Sequence, residues 1–239
     1  VSGVRRARYV DEKLCKGCIN ECASACPVEV SSEYDFGIGK RKAIYVPYPQ
    51  AVPLAACIDP KACIGCSRCA EACPADAVRL EQEPQDFKIN VGAIIVATGW
   101  QPFDAARKEE YGFGRYRDVV TTLQMERMLN ASGPTKGEVV QPSTGEIAGS
   151  IAFLQCVGSR DATVGNCYCS RICCMASLKN AQLVKEKYPD TDITIYYMDI
   201  RACGEGYEEF YIRAQKLGIN FVRSRVSSIE EVEGRISLI

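Results

Sequence analysis

Two short cysteine-rich blocks constrain the fold of this chain more than any other feature of its sequence. Each block contains four cysteines followed by proline: Cys15, Cys18, Cys22 and Cys26 in CKGCINECASACP, and Cys63, Cys66, Cys69 and Cys73 in CIGCSRCAEACP. The first block has one more residue between its second and third cysteines than the second block has. A repeat on this scale predicts a small pseudo-symmetric domain.

The second block has the C-x2-C-x2-C-x3-C-P spacing by which bacterial ferredoxins bind 4Fe–4S clusters. In those proteins the fourth cysteine of a block binds the cluster of the other block. We therefore expect one cluster at Cys63, Cys66, Cys69 and Cys26, and the other at Cys15, Cys18, Cys22 and Cys73. A structural zinc site or spare thiols are the alternatives. Zinc ribbons separate two CxxC pairs by about 15–20 residues, so four cysteines in one short loop favour iron–sulfur clusters.

The composition narrows the chemistry further, since the chain has 15 cysteines and no histidine. An odd number of closely spaced cysteines argues against a secreted disulfide framework and indicates a reducing, cytoplasmic setting. Without histidine the usual general base is absent, and we predict no catalytic acid, base or nucleophile. A net charge of -1 favours neither nucleic acid nor an anionic membrane surface. No apolar stretch approaches the roughly 20 residues of a membrane-spanning helix. The short basic stretch at 39–42 is expected to form a solvated turn.

Beyond residue 88 the pattern changes to alternating strands and helices. The run KINVGAIIVATG at 88–99 predicts a buried strand and a tight turn. Further strands are predicted at 151–157, 193–198 and 219–222, and helices at 121–131, 170–187 and 208–217, with a surface connection at 133–149. Thr121 and Gln124 have the spacing of a capping box. This alternation predicts an α/β, Rossmann-like domain with a mostly parallel sheet.

A third group of cysteines lies in this second part of the chain. Its members are Cys156, Cys167, Cys169, Cys173 and Cys174. Their spacing matches neither a ferredoxin nor a zinc finger, but Cys156 ends a predicted strand, and Cys173 and Cys174 begin the next helix. A helix N-terminus lowers the pKa of a thiol. From the residues alone, a third cluster and a set of buried or redox-active thiols remain equally open. Cys57 and Cys203 have no partner at ligand spacing and are expected to be buried as small apolar groups.

Several segments together resemble the A subunit of heterodisulfide reductase and its relatives. They are RYVDEKLCKGC, GKRKAIYVPYPQAVP and IAFLQCVGSRD with CSRICCMASLKNA. In that family a ferredoxin domain is inserted into a thioredoxin-reductase-like flavoprotein. The resemblance implies a third 4Fe–4S cluster at Cys156, Cys169, Cys173 and Cys174, with Cys167 left free. GAIIVATGWQP resembles the segment that closes the FAD-binding domain of such proteins, which implies FAD contacts at Ala97, Thr98 and Gly99.

The resemblance also implies how the chain is divided and what it works with. We expect an inserted α+β, ferredoxin-like two-cluster domain at 1–87, the end of an FAD-binding domain at 88–149, and a partial nucleotide-binding-like domain with the third cysteine group at 150–239. The G-x-G-x-x-G half of the FAD site is not in the sequence, so we expect an internal fragment that binds FAD poorly by itself. The implied partners are the other reductase subunits and an electron-donating hydrogenase or dehydrogenase.

The implied function is electron transfer through the clusters of a flavin-based, electron-bifurcating oxidoreductase. One alternative is a segment of an NAD(P)H-linked iron–sulfur flavoenzyme, although Gln155-Cys156-Val157-Gly158 does not supply its glycine motif. Another is a two-cluster ferredoxin-type carrier joined to a structural α/β domain. A regulatory thiol switch is a third.

Overall fold

A computed structural model describes all residues from 1 to 239. The chain folds into two compact units, Val1–Gly99 and Trp100–Ile239, which we call unit 1 and unit 2. None of the helices in either unit has both the length and the apolar character that crossing a bilayer requires.

Unit 1 consists of short elements joined by loops. Its elements in chain order are β1 (Ser2–Arg5), α1 (Ile19–Ala25), β2 (Glu29–Ser31), β3 (Lys40–Lys42), β4 (Ile44–Tyr45), β5 (Cys57–Ile58), α2 (Arg68–Glu71) and β6 (Gln85–Lys88). The strands form antiparallel pairs: β1 with β6, β2 with β3, and β4 with β5. Pairing of Ser2 with Lys88 brings the two ends of unit 1 side by side. The small apolar core contains Val10, Ile44 and Ile58, together with the cysteines.

The expectation of a solvated turn at the basic stretch 39–42 is wrong. Lys40–Lys42 is strand β3, and its charges are paired within unit 1. Arg41, whose side chain is 10% exposed, donates to Glu33 and to Asp59, the latter at 2.8 Å. These ion pairs connect the hairpin to the lead of the second cysteine block.

Unit 2 is built around a three-stranded parallel sheet. Its α-helices are α3 (Thr122–Leu129), α4 (Cys173–Lys187) and α5 (Tyr207–Lys216), and its strands are β7 (Ser150–Leu154), β8 (Asp192–Tyr197), β9 (Asn220–Arg223), β10 (Ile229–Val232) and β11 (Arg235–Leu238). The parallel sheet has the order β7-β8-β9, and β10 pairs with β11 in a separate antiparallel hairpin. Phe153, Leu178, Val184, Ile193 and Ile195 fill the core between the sheet and α4.

Most elements predicted for the second part of the chain are confirmed. The predicted strands correspond to β7, β8 and β9, and the predicted helices to α3, α4 and α5. Both hydrogen bonds of the Thr121–Gln124 capping box are formed. The 133–149 connection contains no helix or strand, but Val139 and Ala148 are buried in the core. The β10–β11 hairpin was not predicted, although Glu233 and Gly234 at its turn both have positive φ.

The predicted buried strand at 88–99 is wrong. Strand β6 ends at Lys88, and residues 89–99 are exposed and form no strand. Ile95 is 91% exposed and Val96 79%. The apolar, β-branched residues suit a strand buried between neighbours, but no strand of unit 1 lies beside them. The pattern therefore indicates a tendency to be buried that unit 1 does not satisfy.

The capping box gives a direct test of the unit 2 fold. The substitution Thr121→Ala removes the hydroxyl group that accepts a hydrogen bond from the backbone N–H of Gln124 at 3.3 Å. Removing such a cap destabilises a helix by about 1 kcal/mol, so we expect about fivefold faster amide hydrogen exchange in α3. Exchange followed by mass spectrometry over residues 122–129 measures this. The control Thr122→Ala, one residue inside the helix, should leave the rate unchanged, and equal rates in both variants would contradict the cap.

Candidate metal centres

The first cysteine set of unit 1 lines a small cavity that draws on both blocks. Its cysteines are Cys15, Cys18, Cys22 and Cys73. Cys22 is buried in the first turns of α1, and Cys73 arrives from the second block. Val10, Ala56 and Val78 supply apolar walls. Three thiols of one block thus meet the fourth thiol of the other.

The second cysteine set lines a small cavity with the same design. Its cysteines are Cys26, Cys63, Cys66 and Cys69. Cys69 is buried in α2, while Cys66 is exposed. Ile44, 1% exposed, lines both cavities and therefore lies between the two sets.

Local backbone geometry explains how each block gathers its thiols. Gly17 and Gly65, each between the first two cysteines of its block, both have φ of +71°. A side chain at Gly17 would also meet the Leu54 carbonyl oxygen at 2.9 Å. Both positions therefore require glycine.

The additional residue of the first block is absorbed by its helix. In the first block α1 begins at Ile19, directly after Cys18, and is 7 residues long. In the second block Ser67 takes a left-handed conformation before the 4-residue α2. The longer helix delivers Cys22 to the same degree of burial as Cys69, at 8% exposure each.

Backbone amides point at the sulfurs of both sets. Ala56 N donates to Cys15 Sγ at 3.4 Å, Gly65 N to Cys63 Sγ at 3.4 Å, and Ala77 N to Cys73 Sγ at 3.3 Å. Such donors stabilise negative charge on sulfur and tune the potential of a bound cluster.

Burial opposes that charge in the absence of a compensating cation. It raises the pKa of Cys22 to about 11, and the nearby Cys73, Cys15 and Cys18 sulfurs add to the rise. Burial also raises the pKa of Cys69, with contributions from Cys63, Cys26 and Cys66. Four neighbouring thiolates therefore require a bound cation, and a 4Fe–4S core suits this donor set.

In unit 2, four cysteines of the third group come together at the carboxyl end of the parallel sheet. Cys156 follows β7 with φ of +61°, and Cys173 and Cys174 occupy the first turn of α4. The Cys173 thiol hydrogen-bonds with Cys156 and Cys174, and Cys169 is close enough to Cys156 to raise its pKa. The fifth cysteine, Cys167, is exposed.

The thiols of this group are strongly coupled to one another. Hydrogen bonds from Cys156 and Cys174 lower the pKa of Cys173. The same contact with Cys173, followed by burial, raises the pKa of both Cys156 and Cys174. One thiolate is therefore stabilised at the start of α4, where the helix dipole also favours negative charge.

The two remaining cysteines differ from each other. Cys57 is half-buried, and burial raises its pKa while a hydrogen bond with Tyr45 lowers it. Cys203 is exposed, so the prediction that it is a buried apolar group is wrong. Its segment, residues 201–205, lies in the loop between β8 and α5, where packing does not cover it.

Charged residues around the third group were not predicted from the sequence. Arg201, and with it Arg160, lowers the pKa of Asp199, which follows β8. Arg160 lies four positions after Cys156 and could have been noticed on that ground. Asp199 follows the next strand, β8, so only the parallel pairing of β7 with β8 reveals its proximity.

Nowhere in residues 1–239 do three or more Cys, Asp or Glu side chains approach closely enough to hold a single metal ion. Ala97, Thr98 and Gly99 lie in the exposed segment at the end of unit 1. Their FAD contacts remain a prediction.

Comparison with known proteins identifies the family. The 4Fe–4S binding domain family (Fer4) matches residues 56–79, so this region, with all four cysteines of the second block, is a 4Fe–4S binding domain. The chain is 59% identical over 225 residues to the A subunit of the ferredoxin/F(420)H(2)-dependent CoB-CoM heterodisulfide reductase of Methanosarcina acetivorans, covering 94% of this chain and 28% of that protein.

Two further relatives agree with this. The A subunit of the H(2):CoB-CoM heterodisulfide,ferredoxin reductase of Methanothermobacter thermautotrophicus is 54% identical, with 95% of this chain and 34% of that protein covered. The A subunit of the H(2)/formate:CoB-CoM heterodisulfide,ferredoxin reductase of Methanococcus maripaludis is 56% identical, with the same coverage of 95% and 34%. This chain, which spans about a third of the length of these relatives, belongs to the family of heterodisulfide reductase A subunits.

Proposed function

We propose that this chain transfers electrons through three 4Fe–4S clusters within a flavin-based, electron-bifurcating heterodisulfide reductase. The observation that carries the proposal is the sorting of the eight cysteines of unit 1 into two mixed sets, each with three cysteines of one block and one of the other. This is the ligand arrangement of a two-cluster ferredoxin. Bound 4Fe–4S clusters supply one-electron transfer, and the proposal assigns no catalytic acid, base or nucleophile to the chain.

In unit 1 the proposed ligand sets are Cys15, Cys18, Cys22 and Cys73 for one cluster, and Cys26, Cys63, Cys66 and Cys69 for the other. Amide donors at Ala56, Gly65 and Ala77 hold the sulfurs in place. Ile44 excludes water between the sets and keeps them apart. Cys18 and Cys66 are exposed, so each set has an edge at which an electron can enter or leave.

In unit 2 the proposed ligands are Cys156, Cys169, Cys173 and Cys174. Their convergence at the end of β7 and the start of α4 supports this assignment, as does the exposure of Cys167. Arg171 N donates to Cys169 Sγ at 3.3 Å, and the Ser170 hydroxyl lies 3.9 Å from Cys173 Sγ. These donors hold negative charge on the sulfurs as the amides do in unit 1.

The proposal includes a thioredoxin-reductase-like flavoprotein fold for the longer polypeptide. In it residues 1–87 are an inserted ferredoxin domain, 88–149 complete an FAD-binding domain, and 150–239 belong to a Rossmann-like domain. Pairing of β1 with β6 places the ends of unit 1 side by side, as an insertion requires. The exposed apolar run of 89–96 supports burial of that segment among strands of the longer chain, with Ala97, Thr98 and Gly99 beside the FAD.

The proposed partners are the other heterodisulfide reductase subunits and an electron-donating hydrogenase or dehydrogenase, in the cytoplasm. The names of the relatives support such donors, since they include H(2), formate and F(420)H(2). For this chain the donor and the final acceptor follow only by that similarity.

The iron content of the chain is the first test. After anaerobic purification and reconstitution we expect about twelve irons and twelve acid-labile sulfides per chain, because each 4Fe–4S cluster contributes four of each. EPR of the dithionite-reduced chain should show signals from all of them. About eight irons would restrict the chain to the ferredoxin pair and leave the third group as free thiols.

Double variants test whether the two blocks exchange their fourth cysteines. If the blocks exchange their fourth cysteines, Cys15→Ser and Cys26→Ser remove ligands from different clusters, so the double variant should lose about eight irons. Cys63→Ser and Cys26→Ser then remove two ligands from the same cluster, so this double variant should lose only about four irons. The two double variants remove equal numbers of thiols and are each other's control. The reverse order of losses would show that each block holds its own cluster.

A matched pair of single variants tests the third ligand set. Cys169→Ser should lose about four irons, because its thiol is one of the four that converge. Cys167→Ser, two residues earlier and exposed, should retain the wild-type content. Equal loss in both variants would contradict the choice of ligands.

A further inference from the structure

Two arginines are tied together next to the third cysteine set by one carboxylate. Arg160 Nη1 donates to Asp199 Oδ1 at 2.6 Å, and Arg201 Nε donates to the same oxygen at 3.2 Å. We call these three residues the Arg–Asp–Arg bridge. It contains two positive charges and one negative charge, so its net charge is positive.

The bridge is fixed against the thiols from two strand ends. Arg160 has φ of +54°, and its amide donates to the Tyr168 carbonyl at 2.9 Å, next to Cys169. Cys174 Sγ lies 3.8 Å from the Asp199 carbonyl oxygen, and the Arg201 backbone hydrogen-bonds with the same thiol. The backbone of the bridge therefore contacts the cysteine set, while its side chains contact one another.

The guanidinium groups act electrostatically on the sulfurs. The hydrogen bond with Cys173 and burial raise the pKa of Cys156, and the Arg160 guanidinium opposes that rise. The pKa of Arg201 is raised mainly by its hydrogen bond and charge interaction with Asp199, and also by the nearby Cys169. In the two cysteine sets of unit 1 the shifted thiols, Cys22 and Cys69, respond mainly to burial, backbone hydrogen bonds and other sulfurs. Arginine side chains therefore distinguish the third set from these two sets.

We propose that Arg160 and Arg201, positioned by Asp199, raise the reduction potential of the 4Fe–4S cluster at Cys156, Cys169, Cys173 and Cys174. This rests on the third cluster of the proposed function. Reduction adds one electron to the cluster without forming or breaking a bond, so the cluster and its thiolates gain one negative charge. A nearby permanent positive charge stabilises that reduced state, and a carboxylate destabilises it. The two arginines act on the cluster through their charge, and Asp199 holds their guanidinium groups in position.

Arginine and aspartate carry opposite charges, so their removal should shift the reduction potential in opposite directions. A purely structural role predicts no such difference in sign. In EPR-monitored redox titrations of the full chain, Arg160→Gln should lower the ratio of reduced to oxidised third cluster at a fixed potential by about tenfold, or about 59 mV for one electron. Arg201→Gln should lower it less, since its side chain is more exposed, 42% against 24%. Asp199→Asn should raise it. The third signal is identified by its loss in Cys169→Ser.

Two controls separate charge from packing. Arg160→Lys keeps the charge and should restore most of the wild-type ratio. Arg213→Gln removes an arginine from α5, where its guanidinium lies 5.8 Å from the Phe210 ring, and should change nothing.

The outcomes distinguish the bridge from the cluster itself. About twelve irons with an unchanged potential in Arg160→Gln, or with shifts of one sign in all variants, would overturn the role of the bridge. About eight irons in the wild-type chain would refute the third cluster and the bridge with it.

Discussion

The cost of burying several thiolates next to one another is the constraint on which the cysteine sets depend. Burial and neighbouring sulfurs raise the pKa of Cys22 and Cys69, so these sets are costly to ionise by themselves. The cysteines form part of the small apolar core of unit 1, where Val10, Ile44 and Ile58 pack against them. In the proposed function a bound cationic core compensates the thiolates, so folding of unit 1 and binding of its clusters would be coupled.

Exchange of cysteines between the blocks follows from the same constraint. Each helix, α1 or α2, places one buried cysteine inward, and the chain past its end turns the next cysteine to the other side of Ile44. The two loops are thereby tied together through both sets. A small module with little sheet gains its rigidity from these shared ligands, which link residues far apart in the sequence.

Sequence patterns predicted those parts of the fold and of the cysteine sets that are determined by residues close together in the chain. Cysteine spacing predicted both mixed sets, and apolar periodicity predicted β7, α4, β8, α5 and β9. Residues 89–96 were misassigned because an apolar, β-branched pattern indicates that a segment suits a buried strand. It does not show whether neighbouring strands are present to pair with it, and here the segment is exposed. Asp199 was missed because it approaches Cys174 only through the pairing of β7 with β8. Tertiary proximity of that kind leaves no signature in spacing.

The third cysteine set places thiolates at an edge of an α/β sheet where other proteins bind phosphate. The carboxyl ends of parallel strands, with a helix N-terminus facing them, attract negative groups through oriented amides and the helix dipole. In a nucleotide-binding unit a glycine-rich turn lets phosphate approach this edge. Here Cys156 and Cys173 occupy the corresponding positions, so the negative charge belongs to the protein itself. Arginines that would pair with a phosphate from outside are instead held by Asp199 beside the sulfurs, which makes them a fixed part of the electrostatics of the set.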